Sequence, residues 1–185
     1  MTIDNYFDQF GLPECFLIDT EALDAAFRVT QAAIHPDYFA TADDAQKQQA
    51  TRQSALVSQA WRTLKDPLKR AIYLLHLRGI NVAAEENTAM PPDFLMDQLA
   101  WREALEAAAT SKDQSTLHTL LEILREQQQE RFAALANLLD APPDPDIQAE
   151  SAVRSTQAVR ELMFIDRLVQ TAELQLDELC QDQDE

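Results

Sequence analysis

Glycine is nearly missing from this chain, with 2 residues in 185, and cysteine is equally scarce. Without glycine there is no loop of the kind that lines an oxyanion hole, which weakens a hydrolytic reading from the outset. Cys15 and Cys180 stand alone, with no CxxC pair and no companion ligands at metal-binding spacing. Neither a disulfide framework nor a zinc site is therefore expected, and both are read as buried or incidental thiols. Basic residues are few as well: 15 Lys and Arg stand against 32 Asp and Glu, a formal charge of -17. Nucleic acid and anionic membrane surfaces both require clustered cations, so the composition argues against either as a partner. No apolar run approaches membrane-spanning length, and the opening MTIDNYFDQF carries acids where a secretory or mitochondrial leader would carry Arg or Lys. The expectation is a soluble, cytoplasmic protein.

What the chain does hold in quantity is Ala, Leu, Gln and Glu, residues that lose little side-chain freedom in a helix, within a 46% hydrophobic composition. An all-α protein is expected. The acids are unevenly shared: residues 1–80 hold 8 basic and 10 acidic side chains, residues 81–185 hold 7 and 22. Such asymmetry suggests two units with different partners. In the first, a short helical turn over residues 5–10 ends at Gly11 and Pro13. A helix capped at Asp19 or Thr20 then carries Leu23, Phe27 and Ile34 on one face and stops near His35, because Pro36 disfavours helical geometry in the residue before it. The next helix, residues 44–64, has Ala50, Ser54, Val57, Trp61 and Leu64 at spacings of three and four. Asp66-Pro67 breaks it, Pro67 opens a helix over 68–77, and Gly79 closes that one. The result is an antiparallel helical hairpin with short flanking helices over residues 1–80. Residues 81–92 have no apolar period and end in Pro91-Pro92, so they read as a linker. Helices over 93–109, 113–139 and 147–179, divided by a polar turn and by Pro142-Pro143-Asp144-Pro145, predict an antiparallel three-helix bundle over residues 93–185.

The loop tripeptide His35-Pro36-Asp37 is the first candidate for function. Pro36 stiffens the loop and limits the ordering cost on binding, while His35 offers a hydrogen-bonding edge and Asp37 a carboxylate for a partner's Arg. No Ser or Cys nucleophile accompanies this pair, so it reads as a contact motif; neither enzymatic turnover nor a cofactor is expected. His76 and His118 are each alone at helical spacing and read as partly exposed helix residues, not metal ligands. The tripeptide is followed by Gln59-Ala60-Trp61 and by Asp66-Pro67-Leu68-Lys69-Arg70-Ala71-Ile72-Tyr73-Leu74-Leu75. This order resembles the J-domain, and Tyr6-Phe7, Phe10-Gly11-Leu12-Pro13, Trp61 and Tyr73-Leu74-Leu75 resemble the HscB branch of that family. The resemblance continues through Phe94-Leu95-Met96-Asp97-Gln98-Leu99 to Arg160-Glu161-Leu162-Met163-Phe164-Ile165-Asp166. It implies that residues 1–80 form a J-domain that engages an HscA-type heat-shock ATPase chaperone through His35, Pro36, Asp37 and Arg28 and promotes its ATP hydrolysis. The helix before the tripeptide is normally basic in J-domains, whereas here Arg28 is the only cation between Thr20 and Ile34. Lys47, Arg52, Arg62, Lys65, Lys69 and Arg70 are the cations that could compensate.

The second unit has more apolar surface than a bundle needs. At about 100° per residue, Phe94, Trp101, Leu105 and Ala108 form one stripe, whereas Leu95, Met96, Leu99 and Glu103 cluster on the opposite side. Leu162, Ile165, Val169, Ala172, Leu176 and Leu179 form a seam that leaves Phe164 pointing away from it. A bundle helix has one face to bury, so the surplus marks an interaction surface. The family resemblance implies its occupant: an IscU-type iron–sulfur scaffold bound by Leu95, Met96, Leu99, Glu103 and Phe164. Acids that the family often places on this helix appear here as Ala100 and Ala107. The implied function is a co-chaperone that delivers the scaffold to the ATPase; the alternative is a general J-domain co-chaperone with another client.

Overall fold

The computed structural model describes residues 5–34, 43–82, 90–142 and 148–181. All regular structure among them is helical, in the order α1 (Tyr6–Gln9), α2 (Thr20–Ala33), α3 (Asp44–Lys65), α4 (Pro67–Leu77), α5 (Pro92–Ser111), α6 (Gln114–Leu139) and α7 (Gln148–Gln181). The chain divides into two compact units, Met1–Arg78 and Gly79–Glu185.

In the first unit each helix starts at a side chain that satisfies an orphan amide. Asn5 accepts from Phe7, Asp19 from Glu21 and Ala22, Asp43 from Gln46, and Asp66 from Lys69. Pro67 occupies the first turn of α4, where its missing N–H costs nothing, and Gly79 takes the left-handed φ of +76° just past that helix. The cross-links Trp61 to Asp24 and Gln31 to Ser54 show α2 and α3 to be antiparallel. Between the elements lie Phe7, Phe16, Leu23, Val57, Leu64, Leu74 and Leu75, all nearly inaccessible. Tyr73 fastens α1: its ring stacks on Tyr6 at 4.3 Å, and its hydroxyl accepts the Tyr6 backbone N–H at 2.9 Å.

In the second unit α6 and α7 run antiparallel, as the pairs Arg125–Glu173, Gln128–Asp166 and Arg131–Glu161 establish. α5 adds Phe94, Leu105 and Ala108 to a core built with Leu117, Leu120, Leu121, Leu124, Ile165, Val169, Ala172 and Leu176. Lys112 turns the chain between α5 and α6 at φ +54°, and Asp113 then caps α6 by accepting from Thr116.

Two expectations need correction. The ends of the stretch read as a linker are fastened to the second unit: Val82 is buried, its carbonyl accepts both Nε and Nη2 of Arg160 at 3.1 and 3.0 Å, and Met90 packs against the bundle core. Single apolar anchors need no period, so periodicity missed them. Arg70 is no surface cation; it is 6% exposed, its guanidinium donates to the Leu64 carbonyl at 2.6 Å and lies over the Phe16 ring at 5.1 Å. Of the two readings offered for the cysteines, the incidental one fits: Cys180 is exposed and Cys15 half-buried.

Candidate partner-docking sites

His35, Pro36 and Asp37 lie outside the described residues. The two helices on either side of them are described up to Ile34 and again from Asp43, and a cluster around Asp24 joins the two helices. The Trp61 indole N–H donates to Asp24 Oδ1 at 2.8 Å, and Lys65 Nζ reaches both carboxylate oxygens at 3.0 and 2.9 Å. Phe27 stacks on Trp61 at 4.7 Å while Lys65 sits over the same ring at 4.8 Å. The donors from Lys65 and then Trp61 hold the Asp24 carboxyl below the usual carboxylate range, with the charges of Lys65 and Arg28 adding to the effect. Lys65 is thus engaged within the hairpin, and Lys69 pairs with Asp66 at 3.0 Å. Arg28, Lys47, Arg52 and Arg62 are exposed. So are Ala25, Val29 and Ala32, which share the outer side of α2 with Arg28 by helical spacing.

On α5 the two stripes divide sharply. Phe94, Leu105 and Ala108 are buried and Trp101 half-buried, whereas Leu95 is 49%, Met96 71% and Leu99 58% exposed, with Glu103 exposed beside them. Phe164, expected to point away from the seam of its own helix and to join the surplus apolar surface, is not exposed. It is half-buried against the core, its ring edge-on to Phe94 at 6.1 Å and 80°, and the Arg102 guanidinium covers it at 5.7 Å. The reason is that α5 approaches α7 on that side, so a residue off the α6–α7 seam still finds a neighbour. Arg102 lies three residues after Leu99 and seven after Leu95, on the same flank of the helix, and so links Phe164 to the exposed stripe.

Sequence reasoning missed the charged residues beneath this surface. Arg131 Nε donates to Glu161 Oε2 at 2.8 Å, with the two side chains 17% and 12% exposed, and the guanidinium lies 5.1 Å from the Phe94 centroid. A signal was available: Glu161 falls four residues before Ile165, and Arg131 four before Leu135, each within an apolar seam. Among the described residues no group of three or more His, Cys, Asp and Glu could hold a metal ion, and no helix is long and apolar enough to cross a membrane. His76 and His118 are exposed.

Residues 90–173 match the family model described as the HSCB C-terminal oligomerisation domain. A protein of Paraburkholderia xenovorans (strain LB400), named co-chaperone protein HscB homolog, is 48% identical over 176 residues, covering 95% of this chain and 96% of its own. The solved structure of chaperone HscB from Vibrio cholerae is 37% identical, with a TM-score of 0.78 over 95% of this chain and 99% of that one. Human co-chaperone protein HscB, at 21% identity, shares the fold with a TM-score of 0.81 over 94% of this chain and 83% of its own.

Proposed function

The chain belongs to the HscB family of co-chaperones, which serve iron–sulfur cluster assembly, and from that premise we propose that it is a two-ended adaptor. Its first unit engages an HscA-type heat-shock ATPase through His35, Pro36, Asp37 and Arg28 and stimulates ATP hydrolysis. Its second unit binds an IscU-type scaffold through Leu95, Met96, Leu99, Glu103 and Phe164. Covalent linkage of the two raises the effective concentration of scaffold at the chaperone. In this reading the protein works in the cytoplasm and turns over no substrate of its own.

The observation that carries the reading is α5. A helix that buries Phe94, Leu105 and Ala108 while leaving Leu95, Met96 and Leu99 exposed has more apolar surface than its own bundle can use. The rim of that surface supplies Glu103 and the Phe164-bound Arg102 as polar groups that set orientation. The test is the ATPase rate of the HscA-type chaperone with scaffold, with this protein, and with both. Stimulation by the protein, greater when scaffold is present, is expected. Stimulation indifferent to scaffold would assign the second unit another client, and no stimulation in any combination would remove the reading.

A further inference from the structure

Over the first half of α5, apolar burial alone does not decide how the helix is turned about its axis. Phe94 and Trp101 face inward and Leu95, Met96 and Leu99 outward, so rotation there would exchange one apolar surface for another, while further along Leu105 and Ala108 lie inward and Glu103 outward. The start of the helix supplies no polar lock, because Pro91 at its N-cap makes no side-chain hydrogen bond.

A lock does lie beneath it. Arg131 of α6 is held by Glu161 Oε2 at 2.8 Å and by the side-chain and backbone oxygens of Gln127 at 2.7 and 3.2 Å. Gln157 Nε2 donates to the other oxygen of Glu161 at 3.0 Å. Fixed on these bonds, the guanidinium lies 5.1 Å from the centroid of Phe94, which in turn meets Trp101 and Phe164 edge-on at 5.9 and 6.1 Å. A guanidinium attracts an aromatic face placed over it. Leu95 or Met96 turned into the same place would offer no such face and would leave the cation against an aliphatic chain.

We infer that the Arg131–Glu161 pair sets the rotational register of α5, and so decides which of its two apolar stripes faces outward as the docking surface. Both are positioning residues, and neither has to touch the partner. The cause rests on the bundle alone; the consequence for binding rests on the scaffold-docking reading above.

Replacing a buried ion pair by apolar residues of similar volume is often neutral or stabilising, whereas removing one partner is not. The double variant Arg131→Met/Glu161→Leu should therefore melt close to the parent and yet bind the IscU-type scaffold roughly tenfold more weakly. In a Trp61→Phe background, Trp101 fluorescence should become more open to acrylamide quenching. Arg131→Lys, which keeps a cation beside Glu161, should recover part of both properties. Parent-like affinity and quenching in the folded double variant overturn the inference. Should the double variant fail to fold, Phe94→Leu decides. With the ring gone, adding Arg131→Lys should cost no further affinity, and additive losses overturn the inference. If the parent itself fails to bind scaffold, the docking reading falls, and the quenching comparison still judges the register.

Discussion

Truncating Leu95, Met96 and Leu99 together to Ala tests whether the outward face of α5 is the centre of a partner interface. Full burial of one such side chain stabilises by roughly 1.5–3 kcal/mol. With 49%, 71% and 58% of the three residues still exposed, docking has on the order of 1–2 kcal/mol to gain from each. Loss of all three should cost about 3–5 kcal/mol of binding. At roughly 1.4 kcal/mol per decade, Kd rises by about two to three and a half orders of magnitude. The fold should tolerate the change, because these side chains give up little burial when cut back. Ile165, fully buried in the α7 seam, is the contrast: Ile165→Ala should destabilise the bundle by ~2–5 kcal/mol. Phe164 belongs to neither class. Its ring contacts Phe94 and Arg102 inside the unit, so Phe164→Ala should lower stability and affinity together. Calorimetric titration with the scaffold, paired with thermal melts followed by circular dichroism, separates these outcomes. A triple variant that folds and binds scaffold like the parent would refute the assignment of the site, and one that unfolds would show the three residues to be core.

His35→Gln should abolish stimulation of the chaperone ATPase while leaving helix content and scaffold affinity unchanged; a folded variant that stimulates normally refutes the contact role of the tripeptide. With Arg28 alone among Ala25, Val29 and Ala32 on the outer side of α2, stimulation should weaken less with added salt than for a J-domain carrying several cations there, and an equally steep salt dependence would count against this. Asp24, whose folded carboxyl titrates below its ordinary 3.8, contributes stability that is present above that pH and is lost as pH falls through the depressed value. Asp24→Asn should accordingly melt lower than the parent at pH 7, with the gap closing as the pH drops below 3.8, and a gap that persists undiminished in acid would be inconsistent with the linkage.

The helix boundaries were legible because caps and breakers act within a few residues of themselves. Asp19, Asp66, Pro67 and Gly79 announce where α2 and α4 begin and where α4 ends, whatever packs against them. The two stripes of α5 were legible for a related reason, since 100° periodicity is local. What stayed hidden depends on residues distant in sequence. Arg70 is buried because Phe16 and the Leu64 carbonyl meet it. Phe164 is covered because Phe94 arrives from another helix. Arg131 and Glu161 carry a local hint in their spacing from Leu135 and Ile165, but the partner that lets each be buried is present only when α6 and α7 pair. Val82 and Met90 looked like linker for want of a period that an anchor of one residue does not require.

A helix apolar on both sides carries a hazard, since an exposed apolar stripe can also meet its own copy on a second molecule. The charge distribution opposes that pairing. Residues 81–185 hold 22 acids to 7 bases, and α5 itself carries Asp93, Asp97, Glu103 and Glu106 against the single cation Arg102. Two copies meeting stripe to stripe would bring these carboxylates together. Screening at physiological salt extends only to about 8 Å, so the repulsion is felt where the faces would begin to lose water. A partner bearing an apolar patch with cations at its rim meets the opposite field. The same acids would then speed its approach, with apolar area supplying affinity and the surrounding charge favouring a partner with a cationic rim over one of like charge. Ala100 and Ala107 add no charge to this rim, and the four α5 carboxylates outnumber Arg102.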